Sequence, residues 1–189
     1  MHNEIYNRAV VNGSDTLVLA NSEAHDAPIK GEYFDEISYT DGRSEITPIK
    51  HNLITASFGR LLAALCKSHA GFTGITYWEV GTGLDAWDTP PLPQPQLGDV
   101  ALVTPLVRVP VTVVFLDSGN NETASVTNKI EMRAYFDENT ANGPLREFGV
   151  FGGDATSLLG SGIMCDRVIH QVVNKNSNMA LQRKLRFTF

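Results

Sequence analysis

Cysteine is scarce in this chain: Cys66 and Cys165 are the only two among 189 residues. So few thiols, far apart and in no metal-like spacing, argue against a disulfide framework. They read first as two buried free thiols of a protein assembled in a reducing cytoplasm. Long apolar runs are also missing. None approaches the roughly 20 residues that cross a bilayer, so no membrane partner is expected. The opening "MHNEIYNRAV" lacks the charged and apolar regions of a signal peptide, and export by that route is not expected. No stripe of Lys and Arg exists to neutralise phosphates, so nucleic acid is not an expected partner either.

Motifs for chemistry are absent in the same way. The five histidines stand at positions 2, 25, 51, 69 and 170, with no HExxH and no local pairing that suggests metal ligation. His170 lies in an apolar stretch and reads as a satisfied core or interface histidine. No serine sits in a GxSxG setting, and "GSG" at 160–162 lacks the strand-to-helix context of a nucleophile elbow. "GTG" at 81–83 precedes no helix that would present its N-terminus to a phosphate. "FDENTANG" has the charge for calcium without an EF-hand spacing. No catalytic, cofactor-binding or metal-binding residue is assigned, and the chain is read as non-enzymatic.

What is present is the composition of a globular protein, 42% hydrophobic and 19% charged, long enough to bury a core as one domain. The net charge of −6 is uneven. Residues 1–45 hold nine acidic and three basic residues, whereas 46–189 hold twelve of each. Residues 1–46 are therefore expected to form an acidic N-terminal arm or small β-hairpin extension. "RAVVNGSDTLVLA" reads as two short strands around a turn. The stretch with Tyr33, Phe34 and Tyr39 is too broken by Pro, Gly and acid to make a core alone. It is expected to lie across the body or across a neighbouring subunit.

Residues 47–189 read as a helix followed by a β-sandwich body. In "TPIKHNLITASFGRLLAALCKSHAG", Ile54, Phe58, Leu61, Leu62 and Leu65 form one apolar stripe at helical spacing. Thr47 with Pro48, or else Asn52, would start the helix, and Gly71 would stop it. "GFTGITYWEVGTG" alternates as a strand. The proline-rich "LDAWDTPPLPQPQLGD" must be an extended loop. "TPLVRVPVTVVFLD" is a strand interrupted at Pro110, which suggests an edge or a bulge. "NKIEMRAYF" is the cleanest strand, with Ile130, Met132, Ala134 and Phe136 on one face. "PLREFGVFGG", "LLGSGIMCDRVIHQVV" and "ALQRKLRFTF" complete the set, the last with Leu181, Leu185, Phe187 and Phe189 inward. Six or seven mostly antiparallel strands after one helix give a mainly β protein, an antiparallel β-sandwich or flattened barrel with one packed α-helix.

Two features remain. Arg146 and Glu147 are adjacent in a strand, where neighbours point to opposite faces, so whichever is covered needs a partner. A paired Arg beside Gly149, Gly152 and Gly153 would fix a corner of the sheet and make a rigid scaffold. Tyr77, Trp78 and Trp87 with Asp85 and Asp88 could instead form an aromatic sugar-binding platform. Against that, Trp78 reads as core and Trp87 as an anchor for the proline-rich loop.

The blocks "ITYWEVGTG", proline-rich spacer, "ALVTPLVRVPV" and then "EMRAYFDENTANGPLREFGVFGGD" resemble, in that order, structural proteins of tailed phages. The second block is similar to the strand, "NG" turn and "LREVGLF" of tail-collar and tail-fibre proteins; baseplate proteins of contractile injection systems look alike. The resemblance spans roughly 48–189. It departs from the pattern at "PLVR", where the family often has a Glu before the Arg, and it lacks a long repetitive shaft. It implies a non-enzymatic subunit of a baseplate, collar or tail fibre, in a virion or phage-tail-like particle assembled in the bacterial cytoplasm. Its partners would be copies of itself and other virion or tail subunits. A capsid decoration protein is the alternative, and a module adsorbing to surface glycans is the alternative of another class. The residues expected to make the contacts are Tyr33, Phe34, Tyr39, Trp87, Arg146 and Glu147.

Overall fold

Alternation of apolar and polar residues builds two packed sheets, as the computed structural model, which describes residues 29–189, shows. The strands are β1 (Lys30–Tyr39), β2 (Ser44–Ile46), β3 (Lys50–His51), β4 (Leu53–Ile54), β5 (Thr73–Gly81), β6 (Pro105–Pro110), β7 (Thr112–Leu116), β8 (Glu122–Thr123), β9 (Lys129–Phe136), β10 (Gly143–Gly153), β11 (Ile163–Lys175) and β12 (Met179–Thr188). The helix α1 (Ala56–Cys66) precedes β5, and a single 3-10 turn covers Asp85–Asp88. The larger sheet runs β2-β1-β12-β9-β7-β8 with β3 also paired to β1, and the smaller runs β4-β11-β10-β5-β6. Every pairing is antiparallel. The fold is an antiparallel β-sandwich with one packed helix.

The inward residues of β9 and β12 are those the alternation names: Met132, Ala134, Phe136, Leu181, Leu185 and Phe187 are buried. They meet Trp78 and Val80 of β5, Leu145, Phe148 and Val150 of β10, and Cys165 and Val168 of β11 in one cluster. Burying each large apolar side chain contributes roughly 1.5–3 kcal/mol. Phe148 sits at the centre, 4.9 Å from the Trp78 ring and 5.2 Å from that of Tyr33. Pro110 ends β6 at the edge of the smaller sheet, where its missing N–H deprives no ladder. The chain then crosses at Val111 into β7 of the larger sheet.

The N-terminal boundary differs from expectation. Residues 30–46 are not an appendage: β1 pairs along its whole length with β12 and inserts Tyr33 and Ile37 into the core. The acidic residues that hid this strand are answered from far away in the chain. Arg183 pairs with Asp35 at 3.2 Å, and Lys184 pairs with Glu36. The hairpin expected at 8–20 lies outside the described residues.

The helix also begins later than Thr47 or Asn52 would place it. Residues 50–54 are drawn into short pairings with β1 and β11, and Thr55, in extended conformation, becomes the residue before the first turn. Its hydroxyl donates to the Met164 carbonyl, tying the helix start to β11 in place of a side-chain cap. Phe58 and Leu61 alone of the stripe are fully buried. Cys66, at the helix end, is exposed, which corrects the expectation of two buried thiols. Phe189 is likewise 39% exposed, one residue beyond the last pairing of β12.

Candidate functional site

The proline-rich segment between β5 and β6 is fastened to the outer face of the smaller sheet by buried charge. β10 loses its register against β11 between Leu145 and Glu147, and Leu145 and Phe148 both enter the core. The irregularity turns both intervening charges toward the same loop, so the expected opposition of Arg146 and Glu147 does not occur. Arg146 grips Asp88 through two bonds, 2.8 Å from Nε to Oδ1 and 2.7 Å from Nη2 to Oδ2. It also reaches Asp85 at 3.0 Å and donates to the Thr82 carbonyl at 2.9 Å. Such two-pronged pairs fix geometry as well as charge, and the guanidinium holds the Asp88 carboxyl below its usual range. Gly83 makes room: it adopts φ +57°, and a Cβ there would lie 2.4 Å from the Trp87 ring.

Farther along the same face, Glu147 is fully buried and accepts from the backbone N–H groups of Val103 at 3.1 Å and Thr104 at 2.8 Å. Arg167 of β11 bridges Glu147 at 2.8 Å and Asp99 at 2.7 Å. The Leu97 carbonyl receives the N–H of Ala56, joining the loop to the helix start. Three charged side chains on two strands thus hold three points of one loop. At the opposite corner Arg108 and Glu79 pair at 2.8 Å, both buried, with Arg108 stacked 4.3 Å over Phe151 and bonded to the carbonyls of Thr156 and Ser161.

A second polar system lies inside the sandwich. Arg183 reaches Asp35 on one side and His170 Nε2 at 2.9 Å on the other, over the face of Phe148. Burial, then the neighbouring Arg183, drives His170 well below its ordinary value, so it stands neutral. Burial also raises Asp35, against the pull of Arg183. Asp166 is raised well above the carboxylate range by burial, its one side-chain partner among the described residues being Asn52. These groups brace the interior, and His170 is the satisfied core histidine that its apolar setting indicated.

Of the six residues expected to make contacts, Tyr33, Phe34, Arg146 and Glu147 are buried within the chain, and Tyr39 and Trp87 are half-buried. Each has a role within the chain, the tyrosines and Phe34 in β1 and the others in holding the loop, and of the six Tyr39 and Trp87 keep part of their surface uncovered. The aromatic sugar platform does not form either. Trp78 is sealed in the core, Tyr77 packs toward Phe151, and Trp87 covers Gly83, as an anchor of the loop would. Sequence reading missed the outward apolar residues of that loop. Leu97, Val100 and Val103 are 63%, 64% and 49% exposed. A proline-rich loop flanked by acids with four uncovered apolar residues, Leu84 at 47% being the fourth, was the available signal.

Among the described residues no helix is long and apolar enough to cross a membrane, and no three His, Cys, Asp or Glu side chains gather to hold a metal ion. Comparison of the chain with protein-family models, with curated proteins and with solved structures finds no match.

Proposed function

We propose that this chain is a non-enzymatic structural subunit that works through contact with neighbouring subunits, in a particle of the tailed-phage or phage-tail type. The reading has two supports. The "VGTG" and "PLREFGVFGG" blocks carry the resemblance, and they fall on β5 and β10, adjacent strands of the smaller sheet. The loop between "VGTG" and β6 is fixed in place by Arg146, Glu147 and Arg167.

The observation that carries the proposal is the combination of that clamp with Leu97, Val100 and Val103 turned outward. Loops that need only be soluble leave apolar side chains out. A loop made rigid by buried ion pairs and then furnished with exposed Leu and Val suits an interface, because its ordering cost is met before the partner arrives. The interface would be isologous or heterologous between copies, or formed with another subunit.

The test is incorporation into the particle. Particles purified from a culture producing them should contain the chain in fixed proportion to the other subunits, by quantitative mass spectrometry. The double variant Leu97→Glu, Val100→Glu should fold normally yet be missing from the particles. Equal incorporation of wild type and variant would refute the assignment of the loop. Absence of the wild-type chain from every sedimenting particle would refute the subunit reading itself.

A further inference from the structure

We propose that a cleft between the β1/β3 side of the larger sheet and β11 of the smaller one binds a single neutral sugar ring. The cleft holds about 300 Å³. Sites for drug-sized ligands run from roughly 300 to 1,000 Å³, so this one suits a single small ring. It is a different place from the loop clamp's outward face, and it does not rest on the subunit reading.

Tyr33 supplies the polar floor. The residue is only 8% exposed and its ring is fixed edge-on to Phe148. Buried phenols ordinarily find a hydrogen-bond partner. The Tyr33 hydroxyl has none among the described residues, yet it is not one of the polar atoms sealed from solvent. It therefore opens into the cleft that Tyr33 lines. Burial pushes its ionisation up to about 12, so it remains a neutral donor and acceptor at physiological pH.

The walls decide the charge of the ligand. Among the described residues Arg167 is the one Lys or Arg lining the cleft, and it is already paired with both Glu147 and Asp99. An anion would have to compete with two carboxylates for it. No carboxylate among the described residues lines the cleft, and Asp35 and Asp166, which act on the Tyr33 phenol, are already engaged with Arg183 and Asn52. What remains on offer is neutral and mixed: the Tyr33 hydroxyl, the His51 ring and the Gln94 amide oxygen, none of them bonded within the described chain, beside the apolar edge of Pro95. Hydroxyls around a ring that also has a C–H face match that pattern of donors, acceptors and apolar wall.

The experiment is two-dimensional amide NMR of the full chain titrated with the methyl glycosides of glucose, galactose and N-acetylglucosamine, with adenosine as the contrasting neutral ring. At least one glycoside should shift amides of residues 51–53, 94 and 167–169 in a saturable way. A Kd of about 1 mM is expected for one small ring held by a few hydrogen bonds. Tyr33→Phe should weaken it about tenfold. His51→Ala and Gln94→Ala, both at the surface and harmless to the fold, should each weaken it severalfold. The proposal is overturned if no glycoside shifts those amides, if binding ignores all three substitutions, or if adenosine binds there and the glycosides do not.

Discussion

Replacing Glu147 tests the loop clamp at its most buried point. The carboxylate is 0% exposed and holds Arg167 together with the N–H groups of Val103 and Thr104. Glu147→Ala leaves Arg167 with Asp99 alone and strands two amides. Breaking a buried pair on one side costs about 3–5 kcal/mol. Unsatisfied buried amides would add roughly 1–3 kcal/mol each, but a released loop can lift and hydrate them. The expected loss is therefore about 3–5 kcal/mol, or a Tm lower by roughly 6–20 °C for a domain of this size. Glu147→Gln keeps an acceptor and loses the charge, and should cost about 1.5–3 kcal/mol. The double variant Glu147→Met, Arg167→Met should recover part of the loss, since removing both charges together is far milder than removing one. Denaturant unfolding reads these values from midpoints at constant slope, and hydrogen exchange should show residues 84–104 opening first in Glu147→Ala. A loss below about 1 kcal/mol for Glu147→Ala, against the penalty expected for a buried pair, would refute the clamp. So would exchange of that loop unchanged from wild type.

Three more expectations concern the interior. His170 is held neutral when folded and takes a proton near its ordinary value when unfolded, so its contribution to stability is present above about pH 6.5 and is lost as pH falls below it. The stability difference between wild type and His170→Gln should thus shift against the wild type between pH 7.5 and about 5, read as Tm; a pH-independent difference refutes it. Asp166 has the opposite sign: its raised folded value favours the protonated fold, and stability declines as pH rises toward that value. Asp166→Asn should gain on the wild type as pH rises. Gly152→Ala would place a methyl 2.6 Å from the Gly74 carbonyl and 2.8 Å from Leu61. Overpacking of this kind costs about 1–3 kcal/mol, and a neutral outcome by denaturant unfolding would show that β5 and α1 yield there.

Much of the sandwich was legible because β9 and β12 alternate cleanly and Pro110 marks an edge. β1 was not, because its acidic residues depend on Arg183 and Lys184, about as far away as the chain allows. Local pattern cannot price a charge whose partner is distant. The helix start failed for the same reason: residues 50–54 are extended only because β1 and β11 pair with them. Arg146 and Glu147 were rightly singled out as charges needing partners, but strand alternation alone gave the wrong geometry, since the register break turns both the same way. Their partners, Asp85 and Asp88 for Arg146 and the Val103 and Thr104 N–H groups for Glu147, sit in a loop whose path no periodicity describes.

Hydroxyl-radical footprinting of the free chain and of the same chain in the purified particle tests the central claim most directly. Rigid loop contact predicts that Leu97, Val100 and Val103 label readily in the free chain and become protected on assembly, while the already buried Phe148 and Leu181 label weakly in both. Equal labelling of the three loop residues in the two states would contradict it.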